Sequence, residues 1–267
     1  DALAAVALVY PLIILMGMFS AGAFGGAVSG FTARAIGAGD YNEASAVMVC
    51  AVLISLVGGV LMWGLVVTLG PYLYEYASNS SDVVEAAIRY AALVFPVIPA
   101  YWLINMLASV LRGTGDMIRP AWIAASLLLS YTLLAFLIIP GQGASLNDAI
   151  EAAALAMGGS YLFALTLAIY FVSQKTQSVR FRIAAFRTQT LILILKQGML
   201  AASQSVMTII YAMITTLIFS QFGTDWLAGF GLAVRLELIM VPVIFGIGAS
   251  MIAIVGAYVG AGQRDLA

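Results

Sequence analysis

The stretch LAGFGLAVRLELIMVPVIFGIGASMIAIVGAYV, residues 227–259, decides the fold class of this chain. It contains two charged residues, Arg235 and Glu237. An α-helix of this length is about 50 Å long, whereas the hydrocarbon core of a membrane is about 30 Å thick. The stretch therefore predicts a transmembrane helix that tilts or kinks, and Pro242 is a candidate kink site, as is Pro11 in the first run described below.

Six further apolar runs precede this one, at residues 3–33, 46–70, 83–111, 120–139, 149–173 and 190–222. Of the 267 residues, 63% are hydrophobic and only 9% are charged, which is far from the composition of soluble domains. No soluble core could hide seven such runs, so the lipid bilayer must cover them. The sequence predicts an all-α membrane protein with about seven transmembrane helices.

The connections between the runs alternate in charge. The basic residues after the first, third, fifth and seventh runs are Arg34, Arg112, Arg119, Lys175, Arg180, Arg182, Arg187 and Arg264. The connections after the second, fourth and sixth runs have no basic residue and carry Glu75, Asp82, Asp148, Glu151 and Asp225. Because cytoplasmic loops carry an excess of Lys and Arg, we expect seven crossings of the plasma membrane, with residue 1 outside and residue 267 in the cytoplasm.

The composition argues against several classes of function. The chain has no histidine and one cysteine, Cys50, so a zinc site or a Cys/His nucleophilic pair is not expected. Residues 111–116, LRGTGD, are glycine-rich, but their spacing differs from that of a P-loop and no Lys-Ser/Thr follows. We therefore expect no cofactor, no metal, no nucleic-acid partner and no enzymatic activity.

The first and last runs resemble each other, with an offset of about 223 residues. Residues 3–8 (LAAVAL) are similar to residues 227–232 (LAGFGL), and residues 37–39 and 260–262 both read Gly-Ala-Gly. Six helices separate the two copies, so both cross the membrane in the same direction, as in transporters built from parallel repeats. The repeat predicts a unit of six helices and a parent protein of twelve.

This repeat predicts how the chain is divided. We expect residues 1–173 to form an N-terminal lobe that lacks its first helix, and residues 190–267 to form the first two helices of a C-terminal lobe. Residues 174–189 would connect the lobes at the cytoplasmic interface, because cationic and apolar side chains are interleaved there.

Three stretches, residues 33–40, 111–116 followed by Pro120, and 229–262, resemble the multidrug and toxic compound extrusion family in their order and spacing. The resemblance covers essentially the whole chain as the second to eighth helices of that family. It implies a two-lobe antiporter that is coupled to H⁺ or Na⁺ and exports amphipathic or cationic small molecules by alternating access. Two alternatives stay open: a flippase of the same superfamily for a lipid or lipid-linked substrate, and a membrane scaffold that transports nothing.

Ionisable side chains inside spans are candidates for the transport path, because their burial in lipid is costly. Arg235 and Glu237 lie two to three turns inside the last run, whereas Lys196 can reach the cytoplasmic surface. Glu85 and Arg89 are predicted to form a solvated pair on one helix face. Residues 127–134, where the family often has Asn and Asp, are uncharged, so coupling would depend on Glu237 or on helices outside this chain.

Uncharged polar and aromatic side chains inside the runs are further candidates. They are Tyr101, Asn105, Ser130, Tyr131, Gln197, Ser203, Gln204 and Tyr211. Amide and aromatic groups suit amphipathic or cationic substrates, although they equally often bridge helices. Gly22, Gly26 and Gly30, and likewise Gly256 and Gly260, predict helix faces on which a neighbouring helix approaches closely.

Overall fold

The computed structural model describes residues 2–78, 80–139, 146–174 and 179–267, and these are mostly α-helical. The helices are α1 (Ala2–Gly17), α2 (Gly25–Gly37), α3 (Tyr41–Ala77), α4 (Ser81–Val94), α5 (Ile98–Gly113), α6 (Ile118–Ile138), α7 (Leu146–Ser173), α8 (Thr188–Ser220) and α9 (Thr224–Gly260). The described residues contain seven apolar spans, as predicted. The first span combines α1 and α2, the third combines α4 and α5, and each other span is one helix.

Two of the spans depart from α-helical geometry. The first is π-helical at Met18–Phe24, several residues after Pro11. The third contains a 3₁₀ turn at Phe95–Val97, where Pro96 cannot donate a backbone hydrogen bond. At both proposed kink sites, Pro11 in α1 and Pro242 in α9, the chain stays α-helical.

The second span is longer than its apolar run. Helix α3 has 37 residues and begins at Tyr41 because the Asp40 side chain caps it, accepting hydrogen bonds from the Asn42 and Glu43 backbone N–H groups at 3.1 and 2.9 Å. Hydropathy predicted only residues 46–70, because the polar first turn does not register as apolar. The extension places Glu43 at the end of the bundle where Arg34 lies.

A glycine-containing turn connects α5 to α6. Helix α5 ends at Gly113, and Gly115 has a φ of 86°, a conformation that suits glycine. Asp116 then caps α6 by accepting the Ile118 and Arg119 N–H groups, and its carboxylate lies 2.7 Å from Arg119 Nη1.

The hydrophobic core lies among α1–α7. Helix α3 packs on α5, α6 on α7, and α1 on α4, and Trp102 of α5 is fully buried among them. Helix α9 packs chiefly on α2, and both α8 and α9 expose most of their apolar side chains. Lipid or further helices must cover these exposed faces.

Candidate functional site

A cavity of about 370 Å³ lies between the first span, α4, α6 and α7, and four tyrosines line it: Tyr10, Tyr90, Tyr131 and Tyr161. Tyr90 and Tyr161 are 5% and 8% exposed, so their rings are held by packing. Val6, Ile13, Leu127 and Met157 supply apolar surface. The cavity therefore offers aromatic faces in an otherwise apolar wall.

Of these tyrosines, sequence reasoning singled out Tyr131 alone. Tyrosines in membrane helices are commonest in the interfacial belts, so one in the middle of a span is a signal of a polar site. Tyr161 lies midway along the span Asp148–Ser173 and could have been found in this way.

A chain of polar contacts begins beside the cavity. The ring of Tyr101 packs edge-on against that of Tyr161, with 5.3 Å between centroids. The Tyr101 hydroxyl faces the side chains of Asn105 and Ser20. Asn105 Nδ2 donates to Ser20 Oγ at 2.9 Å, and Ser20 Oγ donates to the Met16 carbonyl at 2.8 Å. Two predicted candidates, Tyr101 and Asn105, thus meet in one network.

Ser20 was missed by sequence reasoning, and it lies in the π-helical segment of the first span. Such segments are frequent at functional sites because they change the direction in which side chains point. Ser20 is fully buried, and the Asn105 amide satisfies its oxygen. A serine within an apolar run gives no local sign of a π-helix, so its partner could not be predicted.

The chain of polar contacts continues along α5. It runs towards the end of the bundle that contains Arg34 and Arg264, which we call the basic end. Ser109 Oγ donates to the Asn105 carbonyl at 2.7 Å, and Arg112 Nη2 donates to Ser109 Oγ at 2.6 Å. Tyr101, Asn105, Ser109 and Arg112 are spaced by four, four and three residues, which places them on one helix face.

Helices α2 and α9 close the basic end through a reciprocal contact. A side chain at Gly37 would clash with the Ala257 carbonyl, and a side chain at Gly260 would clash with the Arg34 carbonyl. Gly37 corresponds to Gly260 in the repeat, and Arg34 corresponds to Ala257. The two copies therefore meet around a pseudo-two-fold axis, because each contact is the image of the other.

The ends of these two helices also share one conformation. Gly39 has a φ of 71° and its counterpart Gly262 has a φ of 74°. The Asp40 N–H donates to the Ala35 carbonyl at 2.9 Å, and the corresponding Gln263 N–H donates to Tyr258 at 2.9 Å. The two Gly-Ala-Gly segments thus have the same backbone conformation.

Part of the expectation about glycine faces was wrong. Positions Gly22 and Gly26 have no atom within 4 Å of where a side chain would begin, so no helix approaches there. The close approach occurs instead at Gly37, Gly256 and Gly260. The spacing of the glycines indicated the correct helices, but it could not show which glycines face the partner.

A second cavity of about 340 Å³ lies between α2, α8 and α9, and the candidate Gln197 lines it together with Arg34. The other candidates on α8 and α9 do not join either cavity. Ser203, Gln204, Tyr211 and Glu237 are exposed, and Ser203 Oγ donates to the Leu200 carbonyl of its own helix at 2.7 Å. The side chain of Arg235 lies outside the described part of the structure.

The segment before α8 is attached to the first turns of α3. Arg187 Nη1 lies 2.5 Å from Glu43 Oε2, and Thr190 Oγ1 donates to Glu43 Oε1 at 2.7 Å. The Arg180 N–H also lies 3.4 Å from Ser45 Oγ. Phe181, Ile183 and Phe186 of this segment are exposed, as an interfacial connector requires.

The remaining charged pair behaves as predicted. Arg89 and Glu85 lie 3.6 Å apart on α4, and both side chains are exposed. Among the side chains that the structure describes, Glu237 forms no ion pair, and no group of three potential metal ligands occurs.

Comparison with known proteins assigns the fold and the family. The MatE family model matches residues 1–140 and 200–267, which is well over half of the chain. A crystal structure of a MATE protein in the bent conformation is 25% identical, with a TM-score of 0.88; the match covers 98% of this chain and 58% of that one. Curated protein sequences gave no match.

Two further structures have the same fold. An outward-facing multidrug resistance transporter of the MATE family is 24% identical, with a TM-score of 0.84, and is covered to 58% of its length. A transporter of the MOP superfamily from Pyrococcus furiosus is 24% identical, with a TM-score of 0.85, and is covered to 57%. Each match covers 98% of this chain. The chain thus spans less than two thirds of the solved structures that it resembles.

Proposed function

Because the chain belongs to the MatE family, the multidrug and toxic compound extrusion proteins, we propose that it is part of a cation-coupled antiporter that exports amphipathic or cationic small molecules. In this proposal residues 1–173 belong to the N-terminal lobe, residues 174–189 are the connector, and residues 190–267 open the C-terminal lobe. The basic end faces the cytoplasm and residue 1 faces outside, as the positive-inside rule requires of a plasma-membrane protein.

The reciprocal contact of α2 and α9 is the observation that carries this proposal. Two repeated helices meet at the basic end through backbone atoms, and their glycines leave no side chain between them. Such a contact can be broken and re-formed as one rigid unit rocks against the other, which is how transporters built from repeats alternate their access.

The tyrosine-lined cavity supports the proposed class of substrate. Its volume of about 370 Å³ suits a small organic molecule, since such sites usually measure about 300–1,000 Å³. Tyrosine faces attract organic cations through the ring quadrupole, most strongly where water is excluded. Tyr101, whose ring packs on Tyr161, would hold that wall of the cavity in place, and Asn105 faces the Tyr101 hydroxyl. Gln197 lines the second cavity, between α2, α8 and α9.

Coupling by H⁺ or Na⁺ needs a group that can bind the ion. The residues that line the tyrosine cavity carry no charge, so the coupling group must lie elsewhere. Glu237 is the carboxylate placed furthest into a span of the C-terminal lobe.

A lipid flippase of the same superfamily is the second candidate. The uncharged cavity wall favours it, because Tyr10 and Leu128 are exposed at the cavity and could contact an acyl chain. The two proposals differ in the charge of the substrate and in the need for an ion gradient.

Dye efflux by the protein that contains this chain tests the proposal. Proteoliposomes with an imposed H⁺ or Na⁺ gradient should export a cationic dye, and Tyr131→Ala should raise its apparent KM about threefold, as expected for the loss of a partly exposed cation–π contact of about 0.7 kcal/mol. Tyr170→Ala on α7 is the control, because Tyr170 is 60% exposed and lies outside the cavity. Efflux without a gradient, or movement of a lipid in place of the dye, would contradict the antiporter.

A further inference from the structure

Arg112 is a charged side chain near the end of α5 whose partners are all uncharged. Its Nη2 donates to Ser109 Oγ at 2.6 Å, and its guanidinium lies over the Phe245 ring of α9, 5.7 Å from the centroid. Over the part of the chain that the structure describes, the ion pairs are Arg89–Glu85, Arg119–Asp116 and Arg187–Glu43, and none involves Arg112. A guanidinium enclosed between helices is costly without a charged partner, which favours a ligand beside it.

A cavity of about 220 Å³ adjoins this guanidinium, between α2, α5 and α9. Gly22 and Gly26 line it and have open space where a side chain would begin, so the first span contributes a bare backbone wall. Phe245 and Ile252 of α9 form the opposite, apolar wall. The cavity thus combines one cation with a mostly apolar lining.

Ser29 provides an independent indication of a ligand. Its side chain lines the same cavity and is 3% exposed, yet its hydroxyl has no hydrogen-bond partner among the described residues. A buried hydroxyl without a partner is costly and calls for an explanation, of which a molecule bound in the adjoining cavity is one. Ser29 can donate one hydrogen bond, and Arg112 retains several N–H donors beyond the one used by Ser109.

We infer that this cavity binds the anionic oxygen group, phosphate or carboxylate, of an amphipathic molecule. Arg112 donates to the anion through its planar guanidinium, which matches the geometry of such groups. Ser29 donates a further hydrogen bond, and Phe245 and Ile252 contact the apolar part of the ligand. This site goes beyond the proposed export of cations, because it lies apart from the tyrosine cavity and prefers the opposite charge.

The position of the site gives the ligand a second effect. Arg112 and Ser29 belong to the N-terminal helices, whereas Phe245 and Ile252 belong to α9. A molecule that contacts both sides stabilises the arrangement in which α2 and α9 are in contact, because it binds that state better than one in which they separate.

Binding of hexyl phosphate to the purified protein in nanodiscs of phosphatidylcholine tests the inference without any transport assay. Titration calorimetry should show saturable binding that hexanol, which lacks the anion, does not compete for. Arg112→Gln should weaken the binding at least about tenfold, the change that corresponds to about 1.4 kcal/mol. Arg264→Gln, at the same end of the bundle, should leave it unchanged.

Ser29→Ala keeps the inference testable if Arg112→Gln does not fold, because it removes one buried hydroxyl and adds no volume. It should weaken binding about threefold, as the loss of one hydrogen bond predicts. If nanodiscs with phosphatidylglycerol raise the melting temperature and block hexyl phosphate in an Arg112-dependent way, the anion comes from a lipid head group. Absence of binding in both lipids, or equal binding by wild type and Arg112→Gln, would overturn the site and leave Arg112 as a contact between helices.

Discussion

The first span and α9 have similar sequences at both ends, and the protein uses the two helices differently. Their ends are the same in conformation and meet each other, whereas their middle parts diverge. The first span contains a π-helical segment with the buried Ser20. Helix α9 remains α-helical through Pro242, and most described side chains in its N-terminal half are exposed. The shared part of the repeat therefore forms the contact between the two halves, and the divergent part forms the binding surfaces.

The largest effect is expected where the two copies touch. Gly260→Ala places a methyl group against the Arg34 carbonyl, and such overpacking costs about 1–3 kcal/mol. Gly37→Ala should cost a similar amount, because its contact with Ala257 is the image of the first. The free energy of unfolding in mixed micelles measures both.

Gly246→Ala is the matched control on the same helix. No atom lies within 4 Å of the position that its methyl group would occupy, and alanine is the better helix former by about 0.8–1.0 kcal/mol. The variant should be as stable as wild type or more so. Equal stability of Gly260→Ala and Gly246→Ala would contradict the reciprocal contact.

A smaller effect is expected at the π-helical segment that distinguishes the first span. Asn105→Ala removes the 2.9 Å hydrogen bond to Ser20, and interhelical bonds of this kind in membranes are worth about 0.6 kcal/mol on average. It should also reduce dye affinity, because Tyr101 loses a neighbour that orients its hydroxyl. Thr132→Ala is the control, since Thr132 is exposed and bonds to Leu128 of its own helix.

The smallest effect on stability is expected at Glu237 of α9, which has no charged counterpart in the first span. The position in the first span that corresponds to Glu237 is occupied by isoleucine, at Ile13 or Ile14. Glu237→Gln should leave the unfolding free energy unchanged, because the side chain is exposed, but should alter the pH or Na⁺ dependence of efflux. An unchanged dependence would remove Glu237 from the coupling mechanism.

Hydropathy and charge were sufficient to predict the seven spans. Lipid requires long apolar helices, and the basic residues lie in every second connection. The repeat predicted which helices correspond, and the Gly-Ala-Gly ends confirmed it in three dimensions. The Asp40 cap, by contrast, lengthened α3 beyond its apolar run.

The candidate site was harder to predict, because four helices contribute to it. Tyr90 and Tyr161 become neighbours of Tyr131 only when α4, α6 and α7 pack together, and no local spacing shows this. Arg112 lies in the last turn of α5, and its position over Phe245 depends on the packing of α9. Tyr211, another candidate, is 70% exposed and lines neither cavity.

The most direct test is the efflux rate of a Gly30→Cys, Ile252→Cys double variant, in a Cys50→Ala background of the protein that contains this chain. The ideal side-chain position at Gly30 lies 3.6 Å from Ile252 Cγ2, so the side chains of these two positions are in contact when the first span packs on α9, and a disulfide between them would capture that state. Oxidation should lock the basic end and stop dye efflux, and reduction should restore it. A cross-linked protein that still exports dye at the wild-type rate would contradict alternating access through this contact.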